Sequence, residues 1–170
     1  MKQHGFTIVE IVITLAIMGV LLTLAVVNVA STQINARDSE RLGDVSSIAN
    51  HLETFYRTDT TNGVSVGRYP STALLDSGET SIKALLLDID LASVTAPGAT
   101  SVSASFIPAT NNVQTVTGVL PQPTKSQYVY QPIQTDGTLC TTEAQECRKY
   151  SIFYRTEGKN TVEKVTSKNQ

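Results

Sequence analysis

Tryptophan is absent from the sequence of 170 residues, and histidine and cysteine occur only twice each. A four-ligand zinc site would consume all four of the latter, and His4 lies in a basic leader, so no metal centre is implied. Phosphate loops, dinucleotide-binding glycines, HExxH pairs and nucleophile elbows are missing too. Serine is plentiful, but beyond the leader His51 is the single imidazole, and it falls on the polar side of a helix. The expectation is therefore a chain that is not an enzyme and needs no cofactor. Charge is also scarce: Asp, Glu, Lys and Arg make up 16% of residues, against about a quarter in ordinary soluble domains. A net charge of −2 gives no strong case for nucleic acid as a partner. The length suits one domain with a core and excludes two large ones.

The shortage of charge is local. Ile11 to Ala36 runs 26 residues without an ionisable side chain, and Phe6 to Ala30 is apolar almost throughout. As a helix that stretch is about 38 Å long, more than a hydrocarbon core of about 30 Å. A cleaved secretory signal fits poorly, because its apolar core is only about 7–15 residues and small residues precede the cut. Here Glu10 interrupts the run, and Asn28 stands where a small residue is wanted. A plain single-span anchor fits better. Lys2 precedes the span while Arg37, Asp38, Glu40 and Arg41 after it cancel, which places the N-terminus in the cytoplasm and the rest outside. An anchor leaves Glu10 unexplained, since a lone carboxylate in an apolar helix costs roughly 2.5–3.5 kcal/mol on insertion. Cleavage between Gly5 and Phe6 would supply a partner: a new amine one turn from Glu10, on the same chain or a neighbour.

These residues match a known pattern. Lys2-Gln3-His4-Gly5, then Phe6-Thr7-Ile8-Val9-Glu10, then an unbroken apolar run resemble the class III signal of type IV pilins and pseudopilins. The resemblance implies that a prepilin peptidase cuts after Gly5 and methylates the amine of Phe6. It also implies that Glu10 guides docking into a filament. Partners on this reading are other copies of the chain, the peptidase, the pilus assembly machinery and, before assembly, the inner membrane. The implied location is the cytoplasmic membrane, crossed once with the N-terminus inside, and then a filament on the cell surface. The implied fold is α+β, a lollipop with one long N-terminal helix, first membrane-spanning and then amphipathic, packed on a small antiparallel sheet. The corresponding divisions are a leader (1–5), a transmembrane and assembly helix (6–35), an amphipathic helix (36–57) and a globular head (58–170). Two alternatives stay open: a pseudopilin of a type II secretion or competence system, and a single-span protein with an extracytoplasmic binding head.

Beyond the span, Leu42, Val45, Ile48, Ala49, Leu52, Phe55 and Tyr56 share about 140° of a helical projection, while Asp44, Glu53 and His51 fall outside it. Asp38 and Arg41 intrude on that stripe, which a short stalk flanked by other subunits would explain. Gly19 weakens the helix by about 1 kcal/mol, serving either local unwinding or close helix packing. Thr58 to Arg68 has turn composition, and Tyr69-Pro70-Ser71 opens the head. Ser81 to Leu91 reads as a short helix or a buried strand. Asp88 and Asp90 form a pair without further oxygen ligands nearby, so a solvated pair is favoured over calcium. Val102–Ile107 and Val113–Leu120 read as short exposed strands in a Ser/Thr/Pro-rich loop region.

The last third carries the strongest strand signals. Tyr128 and Tyr130 alternate on one face of 127–133, and Tyr150, Ile152 and Tyr154 on one face of 149–155, with Phe153 opposite. Residues 161–166 make a third strand. Alternating tyrosines fit sheet-face packing better than a carbohydrate platform. Cys140 and Cys147 lie between the first two of these strands and, once exported to an oxidising compartment, would form a disulfide.

Overall fold

The computed structural model describes residues 5–58, 67–86 and 89–169. Most of the leader, the centre of the expected turn after the helix (59–66) and Asp88 lie outside the described residues. The first element is α1, Ile8–Thr58, 51 residues long and thus about 77 Å from end to end. No proline interrupts it, and the helix absorbs Gly19 and Gly43. Its N-terminal part is apolar enough to cross a membrane, with a mean hydropathy of 2.6 over an 18-residue window.

The second half of α1 docks on the head. Val45, Ile48, Ala49, Leu52 and Phe55 are buried, each large one contributing about 1.5–3 kcal/mol. Leu42 and Glu53 depart from the projected stripe, while Arg41 lies within it and is buried despite its charge. Leu42 is 51% exposed, whereas Arg41 and Glu53 are each only 2% exposed. The head reaches further along the helix than a stalk would allow, because the loop at Glu157 and the tail at Lys168 and Asn169 carry polar groups that meet these charges.

The head opens with two helical turns, a 3₁₀ segment at Thr72–Ser77 and α2 at Glu79–Leu85, followed by a second 3₁₀ turn at Leu91–Val94. The apolar stretch in this region is therefore helical, not a strand. Leu75, Ile82, Leu86, Ile89 and Val94 join the core against α1. A single turn, α3 (Val102–Ser105), leads into β1 (Phe106–Pro108). The first of the two expected exposed strands is thus half helix and half a strand whose Phe106 is buried. Residues 113–120 form no strand; they belong to a loop held by the Thr110 N–H to Leu120 O and Gln131 Nε2 to Asn111 O hydrogen bonds.

Then come β2 (Tyr128–Gln134), β3 (Cys147–Arg155) and β4 (Val162–Thr166). The sheet order is β1-β2-β3-β4. β2, β3 and β4 pair antiparallel, but β1 pairs parallel with β2, so the sheet is mixed where a purely antiparallel one was expected. A parallel pair needs a long crossover, and the loop after β1 supplies it. Tyr128, Tyr130, Tyr150, Ile152 and Tyr154 face α1 in the main core. Val129 and Phe153 face the other way, into a small cluster with Ala109 and Val119 from the crossover loop. The tyrosines are core, with ring pairs such as Tyr69–Tyr150 in edge contact at 4.7 Å, and offer no aromatic platform to solvent.

Candidate processing and assembly site

Gly5, Phe6 and Thr7 precede the helix in irregular backbone. A side chain at Gly5 would meet nothing within 4 Å, so packing within the chain does not require glycine there. The same holds for Gly19. Phe6 is 79% exposed, and the large apolar side chains from Ile8 to Leu24 are exposed with it. Charge-poor surface on this scale needs lipid or other helices to cover it.

Glu10 has a local partner that the sequence reading missed. The Glu10 N–H donates to Thr7 Oγ1 at 3.3 Å, and the Thr7 N–H donates to a Glu10 carboxylate oxygen at 3.5 Å. Thr7-x-x-Glu10 is a capping box, which satisfies two free helix donors and sets the negative charge at the positive end of the helix dipole. The Thr-x-x-Glu spacing itself was the available signal. The Glu10 carboxylate is thus oriented by its own chain.

Two polar clamps lock the head on α1. At the first, Arg37 donates to both Glu157 oxygens at 2.8 Å. Arg41 donates to Lys125 O at 2.8 Å and to Asp38 at 2.9 Å. Asp38 in turn accepts from the Glu157 and Gly158 amides at 2.6 and 2.9 Å. The Arg37 bonds bring the Glu157 carboxyl down to about 2. Burial works against Asp38, but the two amides and Arg41 outweigh it and hold its pKa below the ordinary value.

The second clamp is built on Glu53. It accepts from the hydroxyls of Tyr69 (3.1 Å) and Tyr150 (3.2 Å), from Lys168 N–H (2.9 Å) and from Asn169 Nδ2 (2.9 Å). A buried carboxylate is tolerable only with such a full set of donors. Burial pushes Tyr69 up to about 12, which keeps its hydroxyl protonated as a donor. Between the clamps, Asp44 accepts from Tyr128 OH at 2.7 Å; burial pushes its carboxyl up to about 6, with the tyrosine bond opposing.

Cys140 and Cys147 are disulfide-bonded, their Cα atoms 5.8 Å apart. The bridge ties the end of β2's hairpin to β3. The flanking carbonyls clasp the start of the head, with Tyr69 N–H donating to Cys147 O and Thr72 N–H to Cys140 O. Asp90 accepts from Ala92 N–H and caps the second 3₁₀ turn. Among the described residues no group of three His, Cys, Asp or Glu side chains could hold a metal ion.

The profile of the prokaryotic N-terminal methylation motif matches residues 1–26. The chain carries the class III signal of type IV pilins. No curated protein and no solved structure matches it. The motif marks a structural class and implies processing by a prepilin peptidase and assembly into filaments. The long apolar helix and four-stranded sheet agree with a pilin-like α+β fold. In this chain the signal coincides with an exposed Gly5, an exposed Phe6 and a helix whose first half, among the described residues, lacks cover.

Proposed function

We propose that the chain is the structural subunit of a type IV pilus-like filament, cut between Gly5 and Phe6, methylated on the Phe6 amine and polymerised through α1. The observation that carries this reading is the contrast along one helix. From Val45 onward its apolar face is buried in the head, while from Phe6 to Leu24 the apolar side chains are exposed. Lipid covers that half before assembly, and sister helices cover it afterwards. On this reading residues 1–5 are the leader, 6–35 the membrane and assembly helix, 36–57 the docked helix and 58–170 the head. The N-terminus starts in the cytoplasm, and the filament ends at the cell surface. Glu10 sets the register by pairing with the Phe6 amine of a neighbour.

A groove of about 850 Å³ continues the uncovered face of α1 into the junction with the head, walled by Ile34, Leu42, Tyr154 and Lys159 among others. Leu42 points into it unburied, and the occupant that fits is the α1 of a second copy. The test pairs two variants in cells that make the filament. Glu10→Ala should insert normally and yield no filaments, and Leu42→Glu should fold normally and cut filament yield severely. Normal filaments from Glu10→Ala would overturn the register role, and normal filaments from Leu42→Glu would remove the groove from the interface.

A further inference from the structure

The face of the sheet turned away from α1 carries a polar pocket of about 180 Å³, lined by Gln114, Lys149, Ser151, Lys164, Thr166 and Ser167, with Tyr150 behind them. Its position follows from the register. Ser151 of β3 stands directly opposite Thr166 of β4, and Lys164 stands opposite Phe153. Alternation puts Lys149, Ser151 and Phe153 on the outer face of β3, and Lys164 and Thr166 on the outer face of β4. Lys149 is two residues from Ser151 on one side of the hydroxyl pair, and Lys164 is two residues from Thr166 on the other. The two lysines therefore bracket two hydroxyls.

The surroundings are one-sided in charge. No carboxylate lines the pocket, and neither lysine has an acidic partner within 4 Å among the described residues. Lys164 Nζ is held at the pocket wall by donating to Gln114 O at 3.0 Å. Gln114 is positioned by its neighbours, because Gln131 Nε2 donates to the carbonyls of Asn111 and Val113. The walls are built, not merely superficial: Ser151 is 3% and Ser167 4% exposed. Ser167 donates to Asn169 O, and that leaves the Ser151 and Thr166 hydroxyls as donors toward the pocket.

We propose that this pocket is a binding site for a single tetrahedral oxyanion, a phosphate or sulfate group, free or as the terminal ester of a larger molecule. Two ammonium groups neutralise the charge, and the Ser151 and Thr166 hydroxyls donate to its oxygens. The volume admits such a group together with several waters. The site is independent of the filament reading, since it lies on the head and uses no residue of α1.

The test uses the full isotope-labelled chain in a neutral detergent, titrated with inorganic phosphate and, separately, with methyl phosphate, against chloride at matched ionic strength. Saturable amide shifts centred on Ser151, Thr166 and Ser167, with a Kd at or below about 1 mM, are expected. Lys149→Gln and Lys164→Gln should each weaken binding about tenfold or more, and Lys159→Gln, far from the pocket, should leave it unchanged. Binding of both probes identifies an ester-tolerant site, and binding of inorganic phosphate alone identifies a free-ion site; both support the proposal. Absence of saturation, an equal response to chloride, or wild-type affinity in both pocket-lysine variants overturns it. The lysines are at the surface, so folding should survive their loss, and the wild-type titration decides the matter even if a variant fails.

Discussion

Glu53 is a carboxylate sealed between a helix and a sheet, and its energetics come from its four kinds of donor. Glu53→Ala removes the acceptor of the Tyr69 hydroxyl and the Lys168 amide and one partner each of Tyr150, which keeps Ala49 O, and Asn169, which keeps the Tyr69 oxygen. A loss of about 3 kcal/mol is therefore expected in denaturant titration of the full chain in detergent. Glu53→Gln, which keeps an acceptor, should lose less; equal losses would mean that packing, not the acceptor, matters. Asp44 has the opposite balance. Its folded pKa of about 6 lies above the ordinary 3.8, so its contribution is fully present below the ordinary value and is lost as pH rises through about 6. Asp44→Asn should therefore stabilise the chain at pH 7 and leave it unchanged near pH 3.5, as read by melting temperature across pH. Glu157 runs the other way, with a folded pKa lowered from 4.5 to about 2. Its clamp contributes above the ordinary carboxylate range and fails as pH falls toward about 2. Replacing it with glutamine should remove that acid-side slope.

At the scale of elements, what can be read from sequence tracks the length of the repeating pattern. α1, β2 and β3 announce themselves because apolar residues recur at helical or alternating spacing over many positions, and β4 (VEKVT) only through the turn Glu157-Gly158-Lys159-Asn160 before it. Even the split of Tyr150 and Ile152 from Phe153 onto opposite sheet faces follows from alternation alone. β1 is three residues long, too short for any period, and its parallel pairing depends on a distant partner. The buried charges of α1 were illegible for a related reason: Arg41 and Glu53 are polar by type, and their burial is decided by Lys125, Glu157, Lys168 and Asn169, far away in sequence. Thr7 and Glu10, by contrast, carry a local spacing signal, Thr-x-x-Glu, that needs no distant partner, although the sequence reading missed it. The Cys140–Cys147 bridge closes a short loop, and the chain-entropy treatment assigns such a loop about 2.5 kcal/mol. Replacing both cysteines with serine should cost about that much under oxidising conditions and nothing relative to wild type once reductant is added. An unchanged midpoint before reduction would show the bridge to be energetically idle.

As a whole, the molecule is satisfied at one end and unsatisfied at the other. Hydrogen bonds, two clamps and a disulfide hold the head together, whereas the exposed apolar half of α1 has no cover among the described residues. The N-terminal signal lies at the unsatisfied end, so on the proposed reading processing and assembly act on the part that folding leaves undone. On the proposed reading the apolar helix stays on the mature chain, which distinguishes the arrangement from a secretory signal. The most direct measurement is intact mass with N-terminal fragmentation of the protein recovered from sheared cell surfaces. A chain beginning at N-methyl-Phe6 in that fraction is the expected result. A chain still beginning at Met1, or one cut near Ala30, would contradict the filament-subunit reading.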